Sequence, residues 1–274
     1  MIRSHYLEAH RDKPEMMRIG IFQCAGGGLT AERRLAGLRA AILGADPADK
    51  PDLVLCPELF LSGYNVGADL AALAEPARGP GFERIAAIAA DLGTAIVYGY
   101  PERGEDCIYN AAAFVSADGE WLANHRKQLN SPASFEEAYF TPGDRPTLLD
   151  YANLRIALLI CYEVEFPEAV RNAALSGAQL VLVPTALVAR WDVVASRVVP
   201  ARAFENGVWL AYANHAGHEN GFDYLGGSKI VAPDGKIEAE AGAGEALISA
   251  ILDPVRVEAA QARLPYLRDY KKYR

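Results

Sequence analysis

Apolar runs of strand length alternate with helix start and stop signals along this chain, and few architectures accept that order. The runs at 18–23, 52–56, 95–100, 111–116, 156–160, 180–184, 208–214 and 246–252 are mostly apolar, as strands buried on both faces are. Helix signals fall between them. Thr30 can cap a helix over 31–44 with Glu32 in its first turn, Gly93 closes one over 81–92, and Gly177 closes one over 167–176. A fourth helix reads over 195–206. Two hairpin turns are inserted. Asp118-Gly119 leads into a strand at 121–125, and Pro233-Asp234-Gly235 joins strands at 230–232 and 236–240. The order predicts one α/β domain with mixed sheets covered by helices. Gly26-Gly27-Gly28 lacks the spacings of phosphate-binding loops and reads as a plain strand-to-helix turn.

Composition narrows the function classes. With 51% apolar residues the 274-residue chain can bury a sizeable core. Its 27 Lys and Arg against 35 Asp and Glu give a net charge of −8, which argues against tracking nucleic-acid phosphates. No apolar run approaches the roughly 18–20 residues of a membrane span. Residues 1–17 lack the apolar centre of a secretory signal and read as a disordered lead-in, or as lying upstream of a start at Met16 or Met17. The domain is therefore expected over 18–252, with a basic, aromatic tail over 253–274. Cys24, Cys56, Cys107 and Cys161 show no metal-ligand spacing and suggest reduced thiols in a cytoplasm. The pair His215 and His218 lies in a Gly/Asn-rich stretch and reads as surface-loop histidines rather than a metal site.

Three strand ends carry residues that a pure scaffold would not place there. Glu58 sits among apolar neighbours just past 52–56. Lys127 follows the strand at 121–125. Cys161 stands where an apolar strand stops and a turn toward a helix begins. In parallel α/β sheets the C-terminal strand ends form the site face. A thiol is a weak nucleophile near its free pKa of about 8.5 and needs a base or a positive site. A buried glutamate can be that base. A lysine can hold the thiolate and then the oxyanion. Glu58, Lys127 and Cys161 thus form an acyl-transfer set that needs no histidine.

The motifs around these residues resemble the nitrilase, or carbon–nitrogen hydrolase, superfamily. They run in order through Pro57-Glu58-Leu59-Phe60-Leu61-Ser62-Gly63-Tyr64, His125-Arg126-Lys127, Tyr139-Phe140-Thr141-Pro142-Gly143-Asp144 and Cys161-Tyr162-Glu163-Val164-Glu165-Phe166-Pro167-Glu168. Ala201–Asn206, Ala213-Asn214-His215-Ala216-Gly217 and Gly226-Gly227-Ser228 follow. The resemblance spans Arg18 to about Leu252. It implies a four-layer αββα sandwich with two mixed β-sheets, and Glu58, Lys127 and Cys161 as the catalytic trio. It also implies a second glutamate before Tyr139-Phe140, where Glu136 is in register and Glu137 is the fallback. Tyr64, Glu163, Glu165 and Asn214 become pocket candidates. The resemblance implies no metal or organic cofactor, and it implies a homodimer or higher homo-oligomer with the tail as an arm. One departure is Leu129, which stands two past the lysine where a polar residue is usual.

The implied chemistry is hydrolysis of a linear carboxamide through a cysteine thioester. The oxyanion would be held by Lys127 and the backbone N–H of Tyr162. Tyr162 after the cysteine looks like the amidase branches, whereas true nitrilases usually carry Trp there and a longer C-terminal extension. Hydrolysis of N-carbamoyl amides or nitriles on the same trio is the alternative. A non-catalytic binding module would be expected to have lost Glu58, Lys127 or Cys161. Glu165 occupies the place where relatives acting on monoamides of dicarboxylic acids carry an arginine. The chain is therefore expected to prefer neutral or basic amides over those with a free carboxylate.

Overall fold

The computed structural model describes residues 16–273. In chain order the elements are β1 (Met17–Gln23), α1 (Ala31–Leu43), β2 (Leu53–Leu55), α2 (Leu70–Leu73), α3 (Pro80–Leu92), β3 (Ala95–Arg103), β4 (Ile108–Val115), β5 (Trp121–Arg126), α4 (Glu136–Tyr139), β6 (Thr147–Tyr151) and β7 (Leu154–Leu158). They continue with α5 (Pro167–Leu175), β8 (Leu180–Pro184), α6 (Val199–Asn206), β9 (Trp209–Ala213), β10 (Ala216–Glu219), β11 (Phe222–Leu225), β12 (Lys229–Val231), β13 (Ile237–Glu240), β14 (Ala246–Leu252), α7 (Val255–Arg263) and α8 (Tyr266–Tyr273). One six-stranded sheet runs β14-β1-β2-β3-β4-β5 and the other β13-β12-β9-β8-β7-β6, with β10–β11 as a separate hairpin.

Each sheet has a parallel centre, β1-β2-β3 in one and β7-β8-β9 in the other, flanked by antiparallel strands. The side-chain period of two explains why the central strands are apolar throughout. Leu53 and Leu55 face the second sheet, while Val54 and Cys56 face α1 and α3. In β8, Leu180 and Leu182 face inward, while Val181 and Val183 meet α5 and α6. The result is the four-layer αββα sandwich with two mixed sheets. Thr30 caps α1 by accepting from the Arg33 N–H, and Gly93 ends α3 in the left-handed conformation at φ 58°.

Several boundaries differ from the sequence reading. Met17 already belongs to β1 and is buried, and Met16 before it is exposed, whereas residues 1–15 of the expected lead-in lie outside the described residues. β6 and the β10–β11 hairpin were not expected, because their half-exposed, mixed sequences lack the unbroken apolar signal. The helix read over 195–206 is a wide turn at Val194–Val198 followed by α6, and Pro200, with no N–H, sits at the change of register. The tail is also corrected. Val257 of α7 is buried in the inter-sheet core, and the Trp209 indole N–H donates to the Asp253 carbonyl at 3.1 Å. Leu267 of α8 packs on the α5–α6 cluster, and the Arg171 guanidinium lies over the Tyr270 ring. Residues 253–263 are therefore part of the packed unit rather than the start of an arm.

Candidate active site

The parallel centres bring the ends of β2 and β7 together, and the antiparallel edge strand β5 adds a third. Glu58 lies just past β2, Cys161 just past β7, and Lys127 directly after β5. Glu58, Glu136 and Lys127 are essentially fully buried, and Cys161 keeps 8% exposure. The Lys127 ammonium donates to Glu58 Oε1 at 2.8 Å and to both Glu136 oxygens at 2.8 and 2.7 Å. Ser131 Oγ accepts from it at 3.2 Å. Asn110 Nδ2 donates to the same Glu58 oxygen at 2.7 Å. Among the described residues none donates to the other, Glu58 Oε2. The Tyr64 hydroxyl donates to Glu136 Oε1 at 2.5 Å.

Local backbone serves this packing. Gly99 of β3 passes so close to the Pro57–Leu59 segment that a Cβ would sit 2.3 Å from the Leu59 nitrogen. Leu59 and Cys161 both adopt left-handed backbone, at φ 50° and 48°, which costs a non-glycine residue on the order of 1–3 kcal/mol. Cys161 opens a short helical turn, Cys161–Glu165. The Tyr162 N–H is thus among those that a helix start leaves without an intrahelical acceptor. The Ala186 backbone lies near enough to the Cys161 thiol to favour its ionised form.

Burial pushes the Glu58 carboxyl up to about 7, against the lowering effects of Lys127 and Asn110. Burial pulls the Lys127 pKa down, but Glu58 and Glu136 outweigh it and hold the ammonium. For Glu136 burial is likewise overcome, here by Lys127 and Tyr64, so it stays ionised below the usual range. Burial, then Glu58, push the Cys161 thiol well above its ordinary value, while Lys127 and the Ala186 backbone pull it back. The resting site therefore pairs a neutral thiol with a carboxyl that titrates near neutrality.

Two pocket candidates are corrected. Glu163 is 2% exposed and its oxygens are occupied by its own chain. Oε1 accepts from the Gln128 N–H at 2.9 Å, and Oε2 from the Ile160 N–H at 2.6 Å and from His125 Nε2 at 2.9 Å. It is a brace between the residue before Cys161 and the residue after Lys127. Asn214 is also spent. It accepts from the Leu187 and His215 N–H groups and donates to the Leu187 and Gly226 carbonyls. Tyr64 stands beside Glu136 as described. Glu165 is half-buried, and burial pushes its carboxyl up against the pull of Lys127 and Arg202. Glu137 is exposed and accepts from the Ala133 N–H at 3.0 Å.

The histidine pair splits. His218 is exposed and meets Asp223. His215 is no surface residue: it is fully buried, donates through Nε2 to the Glu58 carbonyl at 2.7 Å, and is held neutral by burial, its pKa near 3. Its neighbours in sequence, Asn214, Ala216 and Gly217, are small or polar, which hid its burial. Sequence reasoning also missed Asn110, although a lone amide in the run before Ala111 was a usable signal. It missed the buried pair of Arg34 with Glu219, which no local pattern announces. Among the described residues no group of three or more His, Cys, Asp or Glu is placed to hold a metal. No described helix is long and apolar enough to cross a membrane.

Comparisons with known proteins agree with this geometry. The carbon–nitrogen hydrolase family model matches residues 18–262. The chain is 44% identical to the protein called hydrolase in pqqF 5′ region of Pseudomonas protegens, covering 92% of this chain and 88% of that one. It is 34% identical to an (R)-stereoselective amidase of a Pseudomonas species, over 92% and 91% of the two chains. Among solved structures it resembles an amidase of Nesterenkonia sp. AN1 in complex with butyramide, at 37% identity and TM-score 0.76 over 90% and 95% of the chains. In another structure of that amidase, acrylamide has added to the active-site cysteine.

Proposed function

The chain belongs to the carbon–nitrogen hydrolase family, and from that premise we propose that it is an amidase acting through Cys161. It hydrolyses a small carboxamide to a carboxylate and ammonia by way of a cysteine thioester. The observation that carries the residue roles is the division of labour at Glu58. One oxygen is tied to Lys127 and Asn110, and the other is buried and meets no hydrogen-bond partner among the described residues.

Glu58 Oε2 takes the thiol proton as the Cys161 sulfur bonds to the amide carbon. Lys127 and the Tyr162 N–H hold the oxyanion that forms. Glu58 returns the proton to the nitrogen as the C–N bond breaks, and ammonia leaves. The same carboxylate then deprotonates water, whose oxygen attacks the thioester. The sulfur departs and recovers the proton. A carboxyl near neutrality suits a group that must be base and acid in turn. Glu136 keeps Lys127 charged and placed, and Tyr64 fixes Glu136. None of these steps uses a metal or an organic cofactor.

The cell compartment we propose is the cytoplasm, supported by the four free cysteines, three of them buried. The assembly we propose is a homodimer joined across α5, α6 and α8. Its support is the exposed Tyr266 and Tyr273 among the basic residues of α8. Light scattering of a chain lacking 266–274 tests it, and an unchanged mass removes α8 from the interface. The activity is tested by ammonia release from a panel of simple amides, N-carbamoyl compounds and nitriles. Turnover of nitriles alone would overturn the amidase reading.

A further inference from the structure

The wall beside the reacting atoms is a buried apolar cluster that includes Leu59, Tyr64, Phe140, Ala186 and Tyr224. From it Tyr64 reaches Glu136, and the Ala186 backbone influences the Cys161 thiol, so this cluster borders the catalytic groups. Tyr224 is the anomaly in it. The side chain is 5% exposed, and its hydroxyl meets no hydrogen-bond partner among the described residues. A buried hydroxyl left unmet destabilises the free protein, so its retention calls for a partner that arrives later.

The platform under this hydroxyl is rigid. Tyr224 lies on β11, whose Leu225 N–H donates to the Leu187 carbonyl at 3.0 Å. Its ring packs at 5.2 Å on His215, which is itself fixed to the Glu58 carbonyl. The partner strand β10 is pinned by the buried contact of Glu219 with Arg34. Burial, then Glu219 and Glu58, hold the phenol protonated, and Cys161 acts in the same direction. The hydroxyl is thus a neutral group on the wall that carries Tyr64, with one ring, that of His215, between its own ring and the Glu58 carbonyl. The acidic groups that act on it disfavour a carboxylate there and accept a neutral hydrogen-bonding group.

We propose that the Tyr224 hydroxyl is a specificity contact, hydrogen-bonding a neutral polar substituent such as a hydroxyl on the acyl chain of the amide. The substrate class is then short amides, apolar apart from one neutral hydrogen-bonding group. This rests on the amidase reading and deepens it.

Tyr224→Phe removes the oxygen alone. Ammonia release is measured for two isosteric pairs: 2-methylpropanamide against 2-hydroxypropanamide, and 3-methylbutanamide against 3-hydroxybutanamide. In at least one pair the variant should lose about tenfold in kcat/KM for the hydroxy amide, the scale of one hydrogen bond, while the methyl partner stays within about threefold. Its Tm should hold or rise, because the lost hydroxyl was unmet in the free enzyme. Equal losses on both members, or unchanged ratios in both pairs, would overturn the proposal. A lower Tm, or a variant that does not fold, would do the same by showing a structural hydroxyl, for example one bridged by water to His215 Nδ1. Wild-type turnover of the methyl amides without the hydroxy amides overturns this contact and leaves the amidase reading standing. No turnover of any of the four overturns the amidase reading itself.

Discussion

Glu58 and Glu163 are both buried carboxylates beside strand ends, and they are bonded in opposite ways. Glu163 has both oxygens filled by N–H groups of Gln128, Ile160 and His125. Glu58 has one oxygen on Lys127 and Asn110, and the other meets no partner among the described residues. Burial alone does not mark a reactive group. A saturated carboxylate is structural, because moving a proton to it would break bonds already made. An unsaturated one keeps an affinity that substrate chemistry can use, and its raised pKa measures the cost of holding it there.

The sharpest division between the two is expected from Glu58→Gln and Cys161→Ala. Either should lower ammonia release by at least about a thousandfold, as loss of a base or nucleophile does. Neither should lower Tm appreciably. Alanine suits the small site at Cys161, and an amide at Glu58 can still accept from Lys127 while removing a carboxylate that burial penalises. More than a few per cent residual turnover in Cys161→Ala would remove it as nucleophile.

Glu163→Gln should behave differently. Its amide NH2 must face one of the three donors, so at least one buried hydrogen bond is replaced by a donor–donor conflict costing about 1–3 kcal/mol. Thermal melts should show the loss directly. The turn holding Cys161 at φ 48° is then less firmly fixed, so kcat should fall roughly 10- to 100-fold with KM little changed, the signature of mispositioning. His125→Gln can still donate to Glu163 and should retain more activity than His125→Leu. A Glu163→Gln protein that keeps its Tm but loses all turnover would place Glu163 with Glu58 and erase the distinction.

The two carboxylates also differ in how far sequence reveals them. Glu58 and Cys161 stood out because each ends an apolar run, and strand ends in parallel sheets point to one face, whereas Lys127 stood out from the ordered motifs around it, since it ends the mixed, antiparallel strand β5. Glu136 came from register against Tyr139-Phe140. Glu163 was misread as a pocket residue, because adjacency to the nucleophile says nothing about which way a side chain turns. Asn214 was misread for the same reason, and His215 because its small neighbours resemble those of a surface loop. The central strands of both sheets were legible from double-sided burial. β6 and β10–β11 were not, since half-exposed strands carry a weak pattern, and α7 was hidden by the charges that surround Val257 and Ala260 on its outer face.

A pH profile probes the Glu58 side alone. Folding raises its pKa to about 7, so below that pH the carboxyl holds a proton and cannot accept one from Cys161. kcat/KM should therefore fall on the acid side with a midpoint near 7, about tenfold per unit below it. The linkage sign is that of a raised carboxyl. The folded state binds a proton more tightly than the unfolded one, so this group's contribution is present below the unfolded value of 4.5 and lost as pH rises through 7. Glu58→Gln should abolish that slope in Tm between those values. A wild-type acid limb near 4.5 would mean that Glu58 is not the base.

The smallest expected effect concerns a third acidic residue, Glu165, which lies between the two extremes. It is half-buried, its backbone carbonyl accepts from Arg202 Nη2 at 2.6 Å, and its carboxyl is pushed up by burial against the pull of Lys127 and Arg202. Its charge is therefore felt at the centre without being neutralised by a close partner as Glu136 is. An acyl chain ending in a carboxylate would meet this charge in a partly dry pocket. For two charges taken as about 8 Å apart at an effective dielectric of roughly 20 to 40, the repulsion would be about 1–2 kcal/mol, reduced further because Glu165 is partly solvated. Glu165→Gln should then raise kcat/KM for a carboxylate-bearing amide relative to its neutral isostere by about three- to tenfold, most at low salt. In the wild type the neutral amide should be the better substrate. If the carboxylate amide is preferred before the change and the ratio does not move after it, Glu165 acts as an acid at the start of α5 and the pocket takes its charge preference from elsewhere.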